Sequence, residues 1–208
     1  MLGNIEGKQL YKYTADYVLF DLETTGISCN TDEVIEISAL KVRNGRIAEE
    51  FSELVNPGMP IPYAASRVNN ITDRMVNDAP HFDQVLERFL DFAGDDVLVG
   101  HNICTFDMKF IYRDCERYFG KTISNDYIDT LRLAKVIFPD WKHRRLSDLA
   151  EYYGISTDGA HRALADCKMN QQVFEHMGKE LSRQSVGHST DHGMKQNMGH
   201  SAEKIAEQ

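Results

Sequence analysis

The sequence predicts a mixed α/β fold: an antiparallel meander of strands, then strands alternating with helices, with helices covering the sheet. Three observations carry this expectation. Residues 17–22 are apolar on both faces, as in a central strand of a covered sheet. Two further strand patterns follow, joined by Asn44-Gly45. Beyond Pro80, apolar residues recur at helical spacing between short apolar runs. Such an order suits a sheet flanked by helices better than a sandwich or a bundle.

Taken in order, residues 17–22 form the first strand. Residues 33–42 place Ile35, Ile37 and Ala39 opposite Glu36 and Ser38, and Asn44-Gly45 is a type I′ hairpin signal leading into residues 47–55. Residues 56–62 contain three of the chain's five prolines, so they leave the sheet as a loop. Short helices fill 63–78. Phe82, Val85, Leu86, Phe89 and Leu90 then mark a helix, and 95–100 read as a short buried strand. A helix over 105–119, a strand near Tyr127 and helices over 130–137, 146–153 and 162–181 complete the pattern. From Arg183 the composition turns poor in large apolar residues and rich in Gly, Ser, Gln and His, which cannot form a core of its own. The expected organisation is an N-terminal arm (1–14), one domain (15–182) and a polar flexible tail or linker (183–208).

With 208 residues and 42% hydrophobic content, the chain can bury one sizeable core. Every apolar run is broken by charge within a few residues, which excludes a membrane-spanning helix, and the first residues lack the apolar stretch of a secretory signal. A cytoplasmic location is expected. Cys29, Cys104, Cys115 and Cys167 form no Cys-x-x-Cys pair, which argues against a disulfide framework or a zinc site. The formal net charge of −9 weighs against a protein that coats DNA nonspecifically. It does not weigh against an enzyme whose carboxylates hold metal ions, because those ions reverse the local sign where phosphate approaches.

Asp21 and Glu23 end the first strand in the string FDLETTG. Residues two apart on a strand project to one face, so two carboxylates are aimed together. A hard divalent cation, Mg²⁺ or Mn²⁺, suits such a pair, although an acidic strand end in solvent would show the same spacing. Asp107 follows Gly100-His101-Asn102 and sits in the first turn of a helix with Phe110 and Ile111 inward. It is either a partnered buried carboxylate or an acid stabilised by the helix dipole. Asp166, in HRALAD, shares an inward helix face with Met169 and Val173. His161 lies five residues earlier, roughly 140° away on a continuous helix. It therefore belongs in the turn before the helix, where it is either a site residue or an exposed histidine.

Together, FDLETTG, then GHN with FD following, then HRALAD resemble the three motifs of the DEDDh (DnaQ-like) 3′–5′ exonucleases. That family includes the proofreading epsilon subunit of bacterial DNA polymerase III and the exonuclease region of Gram-positive replicative polymerases. The resemblance covers roughly residues 15–180. It implies a ribonuclease-H-like fold with a mixed five-stranded sheet, and two divalent metal ions held by Asp21, Glu23, Asp107 and Asp166. It also implies His161 as general base, and release of nucleoside 5′-monophosphates from the 3′ end of a strand. The residues themselves agree that four clustered carboxylates need cations.

Leu22, Thr24, Thr25, Asn102 and Phe106 occupy motif positions that in this family surround the terminal nucleotide. Asn69-Asn70 departs from the His-Gly that relatives often carry before Ile-Thr, which removes the basis for transferring strand-end contacts to this loop. Lys142-His143-Arg144-Arg145 is the densest basic cluster, either a phosphate contact or a solvated loop. The expected partner is nucleic acid with a free 3′ end, DNA favoured over RNA, with a DNA polymerase subunit as a protein partner served in trans. Two alternatives stay open: a ribonuclease of the same fold that trims RNA or oligoribonucleotides, and an inactive nucleic-acid- or polymerase-binding module. The second requires loss of at least one acid, and all four are present.

Overall fold

A computed structural model describes residues 7–157 and 162–202, with side chains through residue 184. Five strands, β1 (Tyr17–Thr24), β2 (Val34–Arg43), β3 (Arg46–Leu54), β4 (Leu98–Gly100) and β5 (Tyr127–Asp129), form one sheet of order β3-β2-β1-β4-β5. β1 pairs antiparallel with β2, and β2 with β3, whereas β1–β4 and β4–β5 are parallel. This is the mixed sheet the sequence predicts. Asn44 and Gly45 both have positive φ, 53° and 72°, as a type I′ turn requires.

Seven helices are described: α1 (Tyr63–Asn69), α2 (Asp73–Val76), α3 (Phe82–Ala93), α4 (Asp107–Phe119), α5 (Thr130–Ile137), α6 (Leu146–Tyr153) and α7 (Ala163–Ala202). Their division between the two faces of the sheet follows from the alternation along β1. Val18, Phe20 and Leu22 join the core beneath α3 and α4, while Tyr17 and Leu19 join the core beneath α5, α6 and α7. Each large side chain fully buried in these layers contributes roughly 1.5–3 kcal/mol. A third small cluster of Ile35, Ile61, Ile71 and Val76 fastens α1 and α2 to the start of β2.

Two boundaries differ from expectation. The fourth strand is shorter than 95–100. Asp96 N–H turns back to Ala93 O, and the Asn125 side chain donates to Gly94 O and Asp96 O, which holds this stretch as a turn rather than a ladder. α7 runs to Ala202, past residue 181 where the apolar spacing ends. No proline interrupts residues 182–202, and apolar periodicity reports packing rather than backbone conformation. In the N-terminal arm, Lys8 O and Leu10 N–H hydrogen-bond Tyr127, so residues 8–10 cover the free edge of β5. Residues 1–6 and 203–208 of the predicted arm and tail lie outside the described residues. None of the described helices is long and apolar enough to cross a membrane.

Candidate active site

Asp21 and Glu23 occupy the same face of β1 as Tyr17 and Leu19, the face covered by α7. Asp166, in the first turn of α7, meets them there. One ligand oxygen from each of Asp21, Glu23 and Asp166 lies within 4.8 Å of the other two. Asp107, the first residue of α4, comes from the far side of β1 and is 2% exposed. It stands outside that tight group. Its Oδ1 accepts from Leu22 N–H at 3.1 Å, which fixes the carboxylate against β1.

The electrostatics record the crowding. Burial holds Asp21 well above the usual carboxylate range, reinforced by Asp107, Glu23, Asp166 and Glu36, all negative. Glu23 is pushed up to about 7 by burial, then by Asp166 and Glu36, against an opposing hydrogen bond from Asn69. Asp107 rises to about 7 through burial, opposed by backbone N–H donors that include Leu22. Acids that resist ionisation beside one another call for a cation. All the donors are hard oxygens, which fits Mg²⁺ or Mn²⁺.

The turn after β4 is built for close approach. A Cβ at Gly100 would lie 2.0 Å from the Ile103 side chain and 2.9 Å from Phe20 O, so only glycine fits. Asn102 then adopts φ 65°. Asp129, 1% exposed, secures this turn: its oxygens accept from the backbone N–H groups of Asn102 (3.0 Å), Cys104 (3.2 Å) and Leu131 (2.9 Å), the last capping α5. Desolvation of the half-buried His101 lowers its pKa to about 4, and its Nδ1 lies 3.0 Å from Thr130 Oγ1.

The other expected substrate contacts fare differently. The Leu22 side chain is in the core beneath α3 and α4, and what it offers the site is its backbone N–H. Thr24 Oγ1 donates to Gly26 O at 2.6 Å and Thr25 Oγ1 accepts from Glu33 N–H at 3.0 Å, so both hydroxyls brace the loop after β1. Phe106 is half-buried, its ring 5.3 Å from that of Phe110. His161 lies outside the described residues.

Three contributors escaped the sequence reading. Asn69, 2% exposed, accepts from Ile71 N–H through Oδ1 at 3.0 Å, which turns its NH₂ group toward Glu23. Asp129 is the second. The third is Glu36, bound to Arg162 and Ala163; its place opposite Glu23 in the β1–β2 register was the available signal. Beside Asn102, two adjoining grooves of about 430 and 360 Å³ share Asn102, Leu131 and Lys135. Arg132, Lys142, His143, Arg144 and Arg145 also line them, and among the described residues no carboxylate does.

Comparison with known proteins gives a consistent picture. The Exonuclease (RNase_T) family model matches residues 18–174. The chain is 39% identical over 165 residues to the DNA polymerase III subunit epsilon of Aquifex aeolicus, covering 79% of this chain and 81% of that protein. It is 40% identical over 169 residues to the PolC-type DNA polymerase III of Clostridium perfringens, covering 81% of this chain but only 12% of that relative's length. Among solved structures, exonuclease X in complex with 5′ overhanging duplex DNA superposes with a TM-score of 0.64 at 25% identity, covering 77% of this chain and 90% of that one. E. coli exonuclease I in complex with a dT13 oligonucleotide gives 0.71 at 17% identity, covering 83% and 43%, a likeness of fold.

Proposed function

The chain belongs to the DnaQ-like exonuclease family, with its ribonuclease-H-like fold, and from that premise we propose that it is a two-metal-ion 3′–5′ exonuclease acting on DNA. The observation that carries this reading is the convergence of Asp21, Glu23 and Asp166 within 4.8 Å, with Asp107 beside them. In this reading residues 15–182 are the exonuclease domain, 1–14 an arm and 183–208 a polar tail or linker.

Asp21, Glu23, Asp107 and Asp166 would hold the two ions. Bound divalent ions supply charge stabilisation for the attacking and leaving oxygens of a phosphodiester displacement. His161 takes the proton from the attacking water, a task suited to an imidazole with an ordinary pKa of about 6.5. Asn102 and Phe106, with the loop braced by Thr24 and Thr25 and the backbone of Leu22, surround the terminal nucleotide. The P–O3′ bond breaks, the 3′ oxygen gains a proton, and a nucleoside 5′-monophosphate leaves a strand one unit shorter.

The basic grooves beside Asn102 support a polyanionic strand leading into the site, in a chain whose net charge is −9. The epsilon subunit among the relatives is matched over most of its length, which supports service to a polymerase in trans. The test is hydrolysis of 3′- and 5′-labelled single-stranded DNA, mispaired duplex ends and matched RNA, with Mg²⁺, Mn²⁺ or chelator. Mononucleotide release from the 3′ end, abolished by chelator and by Asp21→Ala or Asp166→Ala in folded protein, is expected. Activity retained by either variant refutes the metal assignment, and a strong preference for RNA refutes the substrate.

A further inference from the structure

Tyr11 belongs to none of the three motifs, lies before the residues 18–174 that the family model matches, and is 55% exposed. Its backbone is nonetheless held in place. Gln9 pairs parallel with Tyr127, where Lys8 O accepts from Tyr127 N–H at 2.9 Å and Leu10 N–H donates to Tyr127 O at 2.7 Å. The arm therefore runs in the direction of β5. Because β1, β4 and β5 are mutually parallel, it carries Tyr11 toward the carboxyl edge of the sheet, where Asp21, Glu23 and the Asn102 turn also lie. Arg132 fastens the arm there: its Nη1 donates to Gln9 Oε1 at 2.7 Å, and the guanidinium also faces the Tyr11 hydroxyl. Tyr11, Asn102, Thr105, Arg132 and Lys135 line the groove of about 430 Å³, with no carboxylate among the described residues that do. Among the described residues, the Tyr11 ring stacks on no other ring, and neither Arg132 nor Lys135 forms an ion pair.

We propose that Tyr11 is a base-stacking platform for single-stranded DNA, holding a nucleotide on the 5′ side of the terminal one while Arg132 and Lys135 meet the adjoining phosphates. The inference rests on the exonuclease reading above, which puts the terminal nucleotide at Asn102, a wall of this same groove. An exposed ring beside cations that lack an acidic partner fits a chain presenting a planar face and a negative charge at every unit. A duplex turns its phosphates outward and keeps its base faces stacked, so it engages the cations but not the ring. An acidic peptide likewise brings charge without a planar face.

The test is binding of the full chain, in EDTA, to a 5′-labelled oligothymidylate of about 12 nucleotides whose bases are removed one at a time to leave abasic residues. Tyr11→Ala should weaken Kd about tenfold and Tyr11→Phe by no more than about twofold. In the parent, an abasic residue at one or two positions near the 3′ end should cost about tenfold, and in Tyr11→Ala the same change should cost nothing further, as expected of two groups that touch. Blunt duplex DNA and poly-L-glutamate should bind the parent and Tyr11→Ala alike. A 5-iodouracil placed at the sensitive position should photocrosslink to Tyr11 of the unaltered protein, a readout that stands even if Tyr11→Ala loosens the arm. A Kd for Tyr11→Ala within about twofold of the parent, an abasic cost that persists in Tyr11→Ala, no crosslink at Tyr11, or an equal loss of duplex or poly-L-glutamate binding overturns the proposal. A parent that shows the expected binding pattern but no Mg²⁺-dependent hydrolysis refutes the exonuclease reading and leaves Tyr11 a single-strand contact. One that hydrolyses DNA without the pattern refutes the role of Tyr11 alone.

Discussion

Replacing Glu23 by Gln should stabilise the metal-free protein at alkaline pH and leave it nearly unchanged at acidic pH. The reason is the burial of Glu23 beside Asp166 and Glu36, which lifts its pKa from an ordinary 4.5 to about 7. Between these values the folded protein holds a proton that the unfolded chain has released. Stability therefore falls as pH rises through the window, and the whole cost is present above about pH 7. At about 1.4 kcal/mol per pH unit, the cost is about 3 kcal/mol. His101 acts in the opposite direction over part of the same range, since desolvation lowers its pKa to about 4, but its contribution is common to both proteins and cancels in the comparison. The assay is urea unfolding in EDTA from pH 5 to 8, followed by fluorescence of the single tryptophan, Trp141, which stacks on Phe138 at 4.4 Å. With a slope of roughly 2–3 kcal/mol per molar urea, the variant's midpoint should exceed the parent's by about 1 M at pH 8 and by only about 0.3 M at pH 5. Saturating Mg²⁺ should reverse the order, because the parent gains binding energy and the variant lacks a ligand. A difference independent of pH, or a parent more stable than the variant at pH 8 in EDTA, would refute the reasoning.

Further outcomes follow from neighbouring residues. Asn69→Ala removes the donor to Glu23 and should weaken Mg²⁺ binding about tenfold by titration calorimetry; it also leaves the buried Ile71 N–H without its acceptor, at a cost of about 1–3 kcal/mol in unfolding free energy. Lys135→Ala and Lys142→Ala should each lower the slope of log K against log salt for single-stranded DNA by about one, while kcat at saturation holds. Asp129→Ala leaves several backbone donors of the Asn102 turn and the α5 start without their acceptor. It should cost about 1–3 kcal/mol in unfolding free energy and lower Tm by roughly 3–10 °C.

Much of the architecture was legible because local physics wrote it into the chain. The apolar run of β1, the Asn44-Gly45 turn and the helical spacing after Pro80 each report a backbone choice made by nearby residues. α5 and α6 begin and end where their patterns place them. The motifs likewise announced Asp21, Glu23, Asp107 and Asp166, since two acids at period two, or an acid on an inward helix face, are visible in one dimension. The length of α7 was not legible, because loss of apolar periodicity ends packing without ending hydrogen bonding.

The chain alone thus determined the order of strands and helices, the family and the four acids on which the proposed cation site rests. Tertiary structure decided which of those acids converge, separating the close group of Asp21, Glu23 and Asp166 from Asp107, which is pinned by Leu22 N–H. It also decided the supports, in which Asn69 faces Glu23, Asp129 holds the Asn102 turn and Glu36 engages Arg162 across 126 residues of sequence. The division has one physical cause. Propensity and periodicity act between neighbours along the chain, whereas a hydrogen bond to a buried carboxylate depends on which segments the folded sheet brings side by side.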